Sequence, residues 1–159
     1  MPNHYPLPLI SKLIHRISGK KWFTKFDVQW GYNNVRIKEG DEWKVAFKTS
    51  NGLFEPTIMF FGLTNSPVTF QTMVDNELMD LIDKGKGSVY MDDIVIHTNG
   101  TEEEHKVIVQ KWLMCLAKLN LFLKLEKCQI HPHEVEYLGM IIGNSQVCMD
   151  PVKVQGITQ

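Results

Sequence analysis

Three aspartates at the ends of apolar runs are the residues of this chain best suited to chemistry. Asp92 and Asp93 stand side by side between two short apolar runs, where a β-hairpin would turn. Asp27 lies near the end of an alternating, strand-like run over residues 22–28. Adjacent carboxylates raise each other's proton affinity, and a divalent cation removes that cost. Because carboxylates together with substrate phosphates commonly hold Mg²⁺, the acids predict a magnesium site, although a lone Asp-Asp pair is more often only a turn.

A weaker candidate for a metal site is Cys128-x-x-His131-x-His133. No second ligand pair follows at zinc-finger spacing, so a polar His-Pro-His turn is the preferred interpretation. The three cysteines are widely spaced and odd in number. This pattern indicates a reducing intracellular compartment.

The elements that must position the acids follow from periodicity and turn residues. Strands are predicted over residues 22–28, 35–37, 43–47, 53–54, 88–91, 94–97, 122–125, 135–142 and 146–149, with Asn51-Gly52 as a hairpin signal. Helices are predicted over residues 9–17, from an N-cap at Ser66 to Gly85, from a capping box at Thr101 and Glu104 to about Leu119, and after Asp150-Pro151. Helices and antiparallel hairpins alternate irregularly, which predicts an α+β fold with one sheet backed by two long helices.

Composition and charge narrow the class of protein. The chain has 159 residues, 43% hydrophobic and 22% charged, as expected for one globular domain. It has no apolar run of roughly 18 residues that could span a bilayer and no signal-peptide pattern. Residues 1–50 carry nine Lys or Arg against four Asp or Glu, and residues 51–110 carry three against ten. A basic end beside an acidic middle suits a protein that meets polyanions, but solvated faces are the simpler explanation.

Five motifs, in order along the chain, carry a family resemblance. They are FTKFDV with GY (residues 23–28 and 31–32), FGLTNSP with FQ (61–67 and 70–71), YMDD (90–93), LEKC (125–128) and YLG (137–139). The segments YPLP (5–8) and MDP-x-K (149–153) flank them. Together they resemble the reverse transcriptase domain of gypsy-type LTR retrotransposon polyproteins over essentially the whole chain.

The resemblance implies a fold and a catalytic centre. The fold would be a reverse-transcriptase palm, an antiparallel sheet backed by helices, with part of the fingers, in a single domain over residues 1–159. Asp27, Asp92 and Asp93 would be catalytic, and with the carbonyl of Val28 they would hold two Mg²⁺ ions, for which Mn²⁺ can substitute. These ions would assist attack of the primer 3′-OH on the α-phosphate of a dNTP.

The resemblance also implies binding roles. The nucleotide-binding residues would be Tyr32, Phe61, Gly62 and Met91. Tyr32 would be the steric gate that selects dNTP over rNTP, against the plainer interpretation of a buried aromatic, and Phe61 could equally be a core residue. Template and primer would contact Ser66, Pro67, Gln71, Tyr90, Tyr137, Leu138 and Gly139. The alternative for the last three is a buried strand with a bulge.

Partners, location and activity are further expectations from the resemblance. The partners would be an RNA template, a DNA primer, dNTPs and the rest of the polyprotein (thumb, RNase H and integrase), with no membrane. The location would be the cytoplasm, in virus-like particles, with the nucleus as a second place. The absence of upstream fingers and of a thumb predicts a palm-centred fragment with little activity alone. The alternatives are a non-catalytic remnant that serves as a binding or structural module, and another palm-fold phosphotransfer enzyme, which the flanking motifs argue against.

Overall fold

A computed structural model of the protein describes residues 5–130, 132–143 and 146–149. Its helices are α1 (Ile10–Ile17), α2 (Ser66–Asp83) and α3 (Glu102–Lys118). Its strands are β1 (Trp22–Asp27), β2 (Phe47–Thr49), β3 (Gly52–Phe54), β4 (Gly87–Tyr90), β5 (Asp93–Thr98), β6 (Gln129–Ile130), β7 (Glu134–Tyr137), β8 (Met140–Gly143) and β9 (Gln146–Met149). Short 3₁₀ helices cover Gly31–Asn34, Glu42–Val45 and Leu125–Lys127.

The strands form three antiparallel sheets, which confirms the predicted α+β class but not the prediction of one sheet. The central sheet has the order β4-β5-β1-β6, the second pairs β2 with β3, and the third has the order β7-β8-β9. In the central sheet Asp27, the last residue of β1, is opposite Asp93, the first residue of β5. The sheet therefore brings the ends of two neighbouring strands, and the acids they carry, to one place.

The two faces of the central sheet pack into separate apolar clusters. Because side chains alternate along a strand, Phe26 of β1 enters the cluster built with α2 and α3, whereas Phe23 enters the other cluster. The second cluster joins α1 to β7 and β8 through Leu13, Val135 and other buried residues. Both faces of the central sheet are thus covered by apolar residues.

Several predicted strands and one predicted cap are wrong. Residues 35–37 and 122–125 form only isolated bridges, at Arg36 and Leu123. Residues 43–47 are mostly a 3₁₀ helix, and residues 135–142 are two strands joined by a turn. These runs are rich in β-forming residues, but composition does not reveal whether a partner strand is available. The N-cap of α2 is Asn65, and Ser66 is its first helical residue.

The remaining helix predictions divide into those confirmed and one outside the described residues. The capping box of α3 is present, since the Thr101 side chain accepts from the Glu104 backbone and the Glu104 side chain accepts from the Thr101 backbone. The helix predicted after Asp150-Pro151 lies outside the described residues. Within the described part of the chain, no helix is long and apolar enough to cross a membrane.

Candidate active site

The three predicted acids lie together at one end of the strands of the central sheet. Tyr90 pairs with Asp93, so Met91 and Asp92 are the two residues of the β4–β5 turn. The backbone N–H of Val28 donates to the carbonyl of Asp92 at 2.9 Å, which ties the turn to the residue that follows β1. Asp27, Asp92 and Asp93 therefore come from two adjacent strand ends and the turn between β4 and β5.

The turn is held from below by Gln71 of α2. Met91 has φ 52°, an uncommon value for a residue with a side chain. Its backbone N–H donates to Gln71 Oε1 at 2.7 Å, while Gln71 Nε2 donates to Asp75 Oδ1 at 2.8 Å. Gln71 is fully buried. The structure therefore places this residue under the turn, not on a surface facing a template strand as predicted.

Gly31 makes room for the Asp92 carboxylate. A Cβ atom on Gly31 would lie 2.6 Å from Asp92 Oδ1 and 3.0 Å from the ring of Phe70. The first distance is shorter than real Cβ atoms adopt, and the second is tight, so the Asp92 carboxylate can keep this position only because residue 31 has no side chain. Gly31 belongs to the GY motif, but the neighbouring sequence does not indicate that it lies against Asp92.

Asp92 carries the strongest electrostatic perturbation among the acids. Burial, followed by the charges of Asp27 and Asp93, raises the pKa of Asp92 to about 6, although Lys127 opposes the shift. Its Oδ1 atom is buried without a hydrogen-bond partner. An orphaned carboxylate oxygen beside two other carboxylates is a site that a cation would relieve.

Two lysines that sequence reasoning missed pair with the other acids. Lys127 Nζ lies 3.6 Å from Asp27 Oδ2, and Lys25 Nζ lies 3.3 Å from Asp93 Oδ1. In the described part of the chain, no three His, Cys, Asp or Glu side chains are grouped closely enough to hold one metal ion as they stand. The donor set of hard carboxylate oxygens fits a divalent cation, which would compete with the two ammonium groups.

Aromatic residues border the acids on the side of α2. Tyr32 is almost fully buried, and its hydroxyl donates to Met91 Sδ at 3.7 Å. Its ring meets the edges of Phe61 at 4.8 Å and Phe70 at 5.7 Å between centroids. Phe61 itself is 66% exposed, and Gly62 after it is also exposed. The structure therefore gives an exposed ring over a buried tyrosine, which excludes the interpretation of Phe61 as a core residue.

The predicted template-binding residues at the start of α2 are less exposed than expected. Ser66 is buried, and its hydroxyl donates to the carbonyl of Phe60 at 3.2 Å. Pro67 and Tyr90 are half-buried. Ser66, like Gln71, thus has a structural contact where a nucleic-acid contact was predicted.

The segment predicted to hold the primer end is a tight hairpin turn. Tyr137 pairs with Met140, and Leu138 and Gly139 between them have φ 52° and 80°. Two consecutive positive φ angles are typical of the type I′ turn that joins twisted antiparallel strands. The alternative of a buried strand with a bulge is therefore replaced by a turn, whose half-buried tip is Leu138-Gly139. Tyr137, predicted to contact the primer, is fully buried.

The alternative metal half-site receives no support from the described residues. Cys128 donates its thiol to the carbonyl of Lys124 at 3.4 Å, and the ring of His133 lies beside Trp22. His131, the middle ligand of that hypothesis, lies outside the described residues.

Solved structures define the class of this fold. The chain aligns over its full length with a foamy viral protease-reverse transcriptase in complex with an RNA/DNA hybrid, with a TM-score of 0.89 and 25% sequence identity, and covers 22% of that chain. It also aligns with a foamy viral protease-reverse transcriptase in complex with double-stranded DNA, with a TM-score of 0.90 and 23% identity, over 27% of that chain. A sheet of this topology, with three aspartates at the ends of its inner strands, is a polymerase palm.

Sequence comparisons identify the family within that class. Residues 1–142 match the family described as "Reverse transcriptase (RNA-dependent DNA polymerase)". Relatives include the "Transposon Tf2-3 polyprotein" and "Transposon Tf2-7 polyprotein" of Schizosaccharomyces pombe (strain 972 / ATCC 24843), 38% and 37% identical over 142 residues, or 89% of this chain. This chain belongs to the reverse transcriptase family. It spans 10% of the length of these relatives.

Proposed function

We propose that this chain forms the catalytic palm of an RNA-directed DNA polymerase that adds dNTPs to a primer 3′-OH on an RNA or DNA template. The observation that carries the proposal is the buried, unpartnered Oδ1 of Asp92, on a carboxyl group whose pKa the nearby charges of Asp27 and Asp93 help to raise. Membership of the reverse transcriptase family supports the reaction class. The foamy viral neighbours were solved with an RNA/DNA hybrid and with double-stranded DNA, which supports the template and primer as partners.

Asp27, Asp92 and Asp93 would hold two Mg²⁺ ions, with the carbonyl of Val28 as a further ligand. When bound, divalent cations at such a site stabilise the charge on the attacking and leaving oxygens of phosphoryl transfer. The chain's own residues prepare that site: Gln71 fixes the turn, and Gly31 leaves space for the Asp92 carboxylate. Their rigidity matters because phosphoryl transfer depends chiefly on positioning and charge.

The aromatic residues next to the acids would bind the incoming nucleotide. Tyr32 has its ring fixed by Phe61 and Phe70 and its hydroxyl held by Met91. The small part of Tyr32 that is exposed therefore has a fixed position next to the turn that carries the acids. A rigid ring at this place would exclude a 2′-OH by steric contact and thereby select dNTPs. Gly62 and the turn Leu138-Gly139 would let the nucleotide and the primer end approach the backbone closely.

Metal binding by the isolated chain tests this proposal most directly. We expect Mn²⁺ or Mg²⁺ binding by titration calorimetry that strengthens when dNTP is present and is lost in Asp92→Asn. Asp80→Asn is the matched control, because Asp80 is an exposed acid on α2 away from the turn. Primer extension by the same chain should be weak, since a net charge of −1 offers little attraction for a polyanionic duplex.

A non-catalytic remnant of a retroelement is the second candidate, and one observation favours it. Asp27 and Asp93 already have ammonium partners in Lys127 and Lys25, so charge at the site is partly balanced without a metal. A well-folded wild-type protein that shows no specific metal binding, with or without dNTP, would favour this candidate over the polymerase palm.

A further inference from the structure

Lys25 occupies an unusual place for a charged residue. It lies in the middle of β1, two residues before Asp27, so the two side chains share one face of the strand. This face of the central sheet belongs to the second apolar cluster. The cluster contains Phe23 and Val95 of the central sheet and Val135 and Tyr137 of β7. The side chain of Lys25 is only 16% exposed. The aliphatic part of this side chain is therefore largely covered, while its ammonium group reaches polar partners.

The partners of Lys25 belong to two different sheets. Its Nζ lies 3.3 Å from Asp93 Oδ1 in the central sheet and donates to the backbone carbonyl of Glu136 in β7 at 2.9 Å. Glu136 is next to Tyr137, which begins the turn Leu138-Gly139. One ammonium group therefore connects a carboxylate of the candidate metal site to the hairpin that was predicted to hold the primer end.

We propose that Lys25 is a positioning residue that ties Asp93 to the β7–β8 hairpin, so that cation binding at the carboxylates is transmitted to the turn Leu138-Gly139. This inference rests on the proposed function, because it takes the carboxylates as the cation site. A divalent cation at Asp93 repels the nearby ammonium group and weakens the ion pair. The ammonium group then relies more on the carbonyl of Glu136, and the hairpin responds.

Lys127 offers a natural contrast within the same site. Its Nζ lies 3.6 Å from Asp27 Oδ2, and its side chain is 57% exposed. It belongs to the 3₁₀ helix Leu125–Lys127 and not to β7 or β8. A long, exposed lysine is easily displaced, so Lys127 acts as a local counter-ion, and its replacement should not affect the hairpin.

Hydrogen exchange without metal tests the link itself. We expect Lys25→Met to increase the exchange rate of the β7–β8 backbone amides at least roughly tenfold, the lower end of what a hydrogen bond to a charged group contributes. Lys25→Arg, which keeps the charge, should restore much of the protection. Lys127→Met removes a comparable charge from the acids and should leave the hairpin unchanged. Amides of α3 report whether Lys25→Met unfolds the whole protein, because that helix lies on the other face of the sheet.

The response to Mn²⁺ tests the transmission. In wild type and in Lys127→Met, we expect Mn²⁺ to change the exchange rates of the hairpin amides. In Lys25→Met the exchange rates of the hairpin amides should not respond to Mn²⁺. Lys25→Met and Lys127→Met should each bind Mn²⁺ roughly fivefold more tightly than wild type, because a competing positive charge is gone. A residue that only packed against the cluster would alter stability without raising metal affinity.

Three results would overturn parts of this inference in different ways. Hairpin exchange in metal-free Lys25→Met equal to that of wild type would refute the link. A normal hairpin response to Mn²⁺ in Lys25→Met would refute the transmission. Wild-type protein that binds no Mn²⁺ would refute the proposed function and the transmission together, while the metal-free exchange rates would still decide whether Lys25 holds the hairpin.

Discussion

Two hairpins with two-residue turns differ in how they are held. The inner hairpin, β4 and β5, turns at Met91-Asp92, and its strands are almost entirely buried. The outer hairpin, β2 and β3, turns at Ser50-Asn51, and every residue of its strands is exposed. Its aromatic pair, Phe47 and Phe54, stacks across the two strands at 6.0 Å. A two-residue turn thus joins buried strands in the inner hairpin and exposed strands in the outer hairpin.

The difference shows which contacts determine the geometry of the site. The inner turn depends on distant residues, since Gln71 of α2 accepts from Met91 and Gly31 leaves space for Asp92. The outer turn depends on a local contact, in which the N–H of Asn51 donates to Thr49 Oγ1 at 3.1 Å. An isolated two-stranded hairpin is at best marginally stable. The acids are therefore fixed by the core, while the outer hairpin is fixed mostly by itself.

The largest expected effect compares two phenylalanines, one from each region. Phe70 is fully buried beneath Tyr32, so Phe70→Ala should lower the free energy of unfolding by about 3–5 kcal/mol. Phe54 is 47% exposed, so Phe54→Ala should cost less than about 1 kcal/mol. Urea denaturation of both variants measures the difference. Equal losses would mean that the outer hairpin is packed in solution, and the contrast between the two hairpins would not hold.

An intermediate effect is expected at the support of the inner turn. Gln71→Met keeps the size of the side chain but removes the acceptor for the Met91 N–H, which should cost about 1–3 kcal/mol. Mn²⁺ affinity should fall as well, because Asp92 follows Met91 in the turn. Thr72→Ala is the control, since Thr72 bonds only locally, to the carbonyl of Val68 in the same helix. Unchanged exchange protection of the Met91 amide in Gln71→Met would exclude this role for Gln71.

The parts of the fold that could be predicted from the sequence are those with local signals. The long helices have strong periodicity, and α3 also has its capping box. The strands flanking the acids, β1, β4 and β5, are apolar runs bounded by turn residues. The predicted strands over residues 35–37 and 122–125 failed because a strand requires a partner, and the sequence of one segment does not name it.

The site shows the same division at the level of single residues. The acids could be predicted because the YMDD motif and Asp27 belong to five ordered motifs that resemble one family, although an Asp-Asp pair by itself is more often only a turn. The sequence did not predict the structural roles of four residues, because each contacts a residue far away in the chain. They are Gln71, Gly31, Lys25 and Lys127. Gln71 and Met91 are twenty positions apart, and Lys25 and Glu136 are separated by more than a hundred. Side-chain type indicates what a residue can do, but only the fold determines with which partner.

The pH dependence of stability should have opposite signs near the two hairpins. The pKa of Asp92 is raised from 3.8 to about 6, so the unfolded chain loses this proton first as pH rises. Wild type should therefore lose stability relative to Asp92→Asn between about pH 4 and pH 6, with no further change above. Asp41, before the outer hairpin, has its pKa lowered by the hydrogen bond from Lys44, so its contribution is lost as pH falls below 4. Urea denaturation of wild type, Asp92→Asn and Asp41→Asn at several pH values measures both trends. Mg²⁺ should abolish the pH dependence due to Asp92 if it binds the ionised carboxylate. If the pH dependence due to Asp92 had the same sign as that due to Asp41, the Asp92 carboxylate would be neither buried nor crowded by its neighbours.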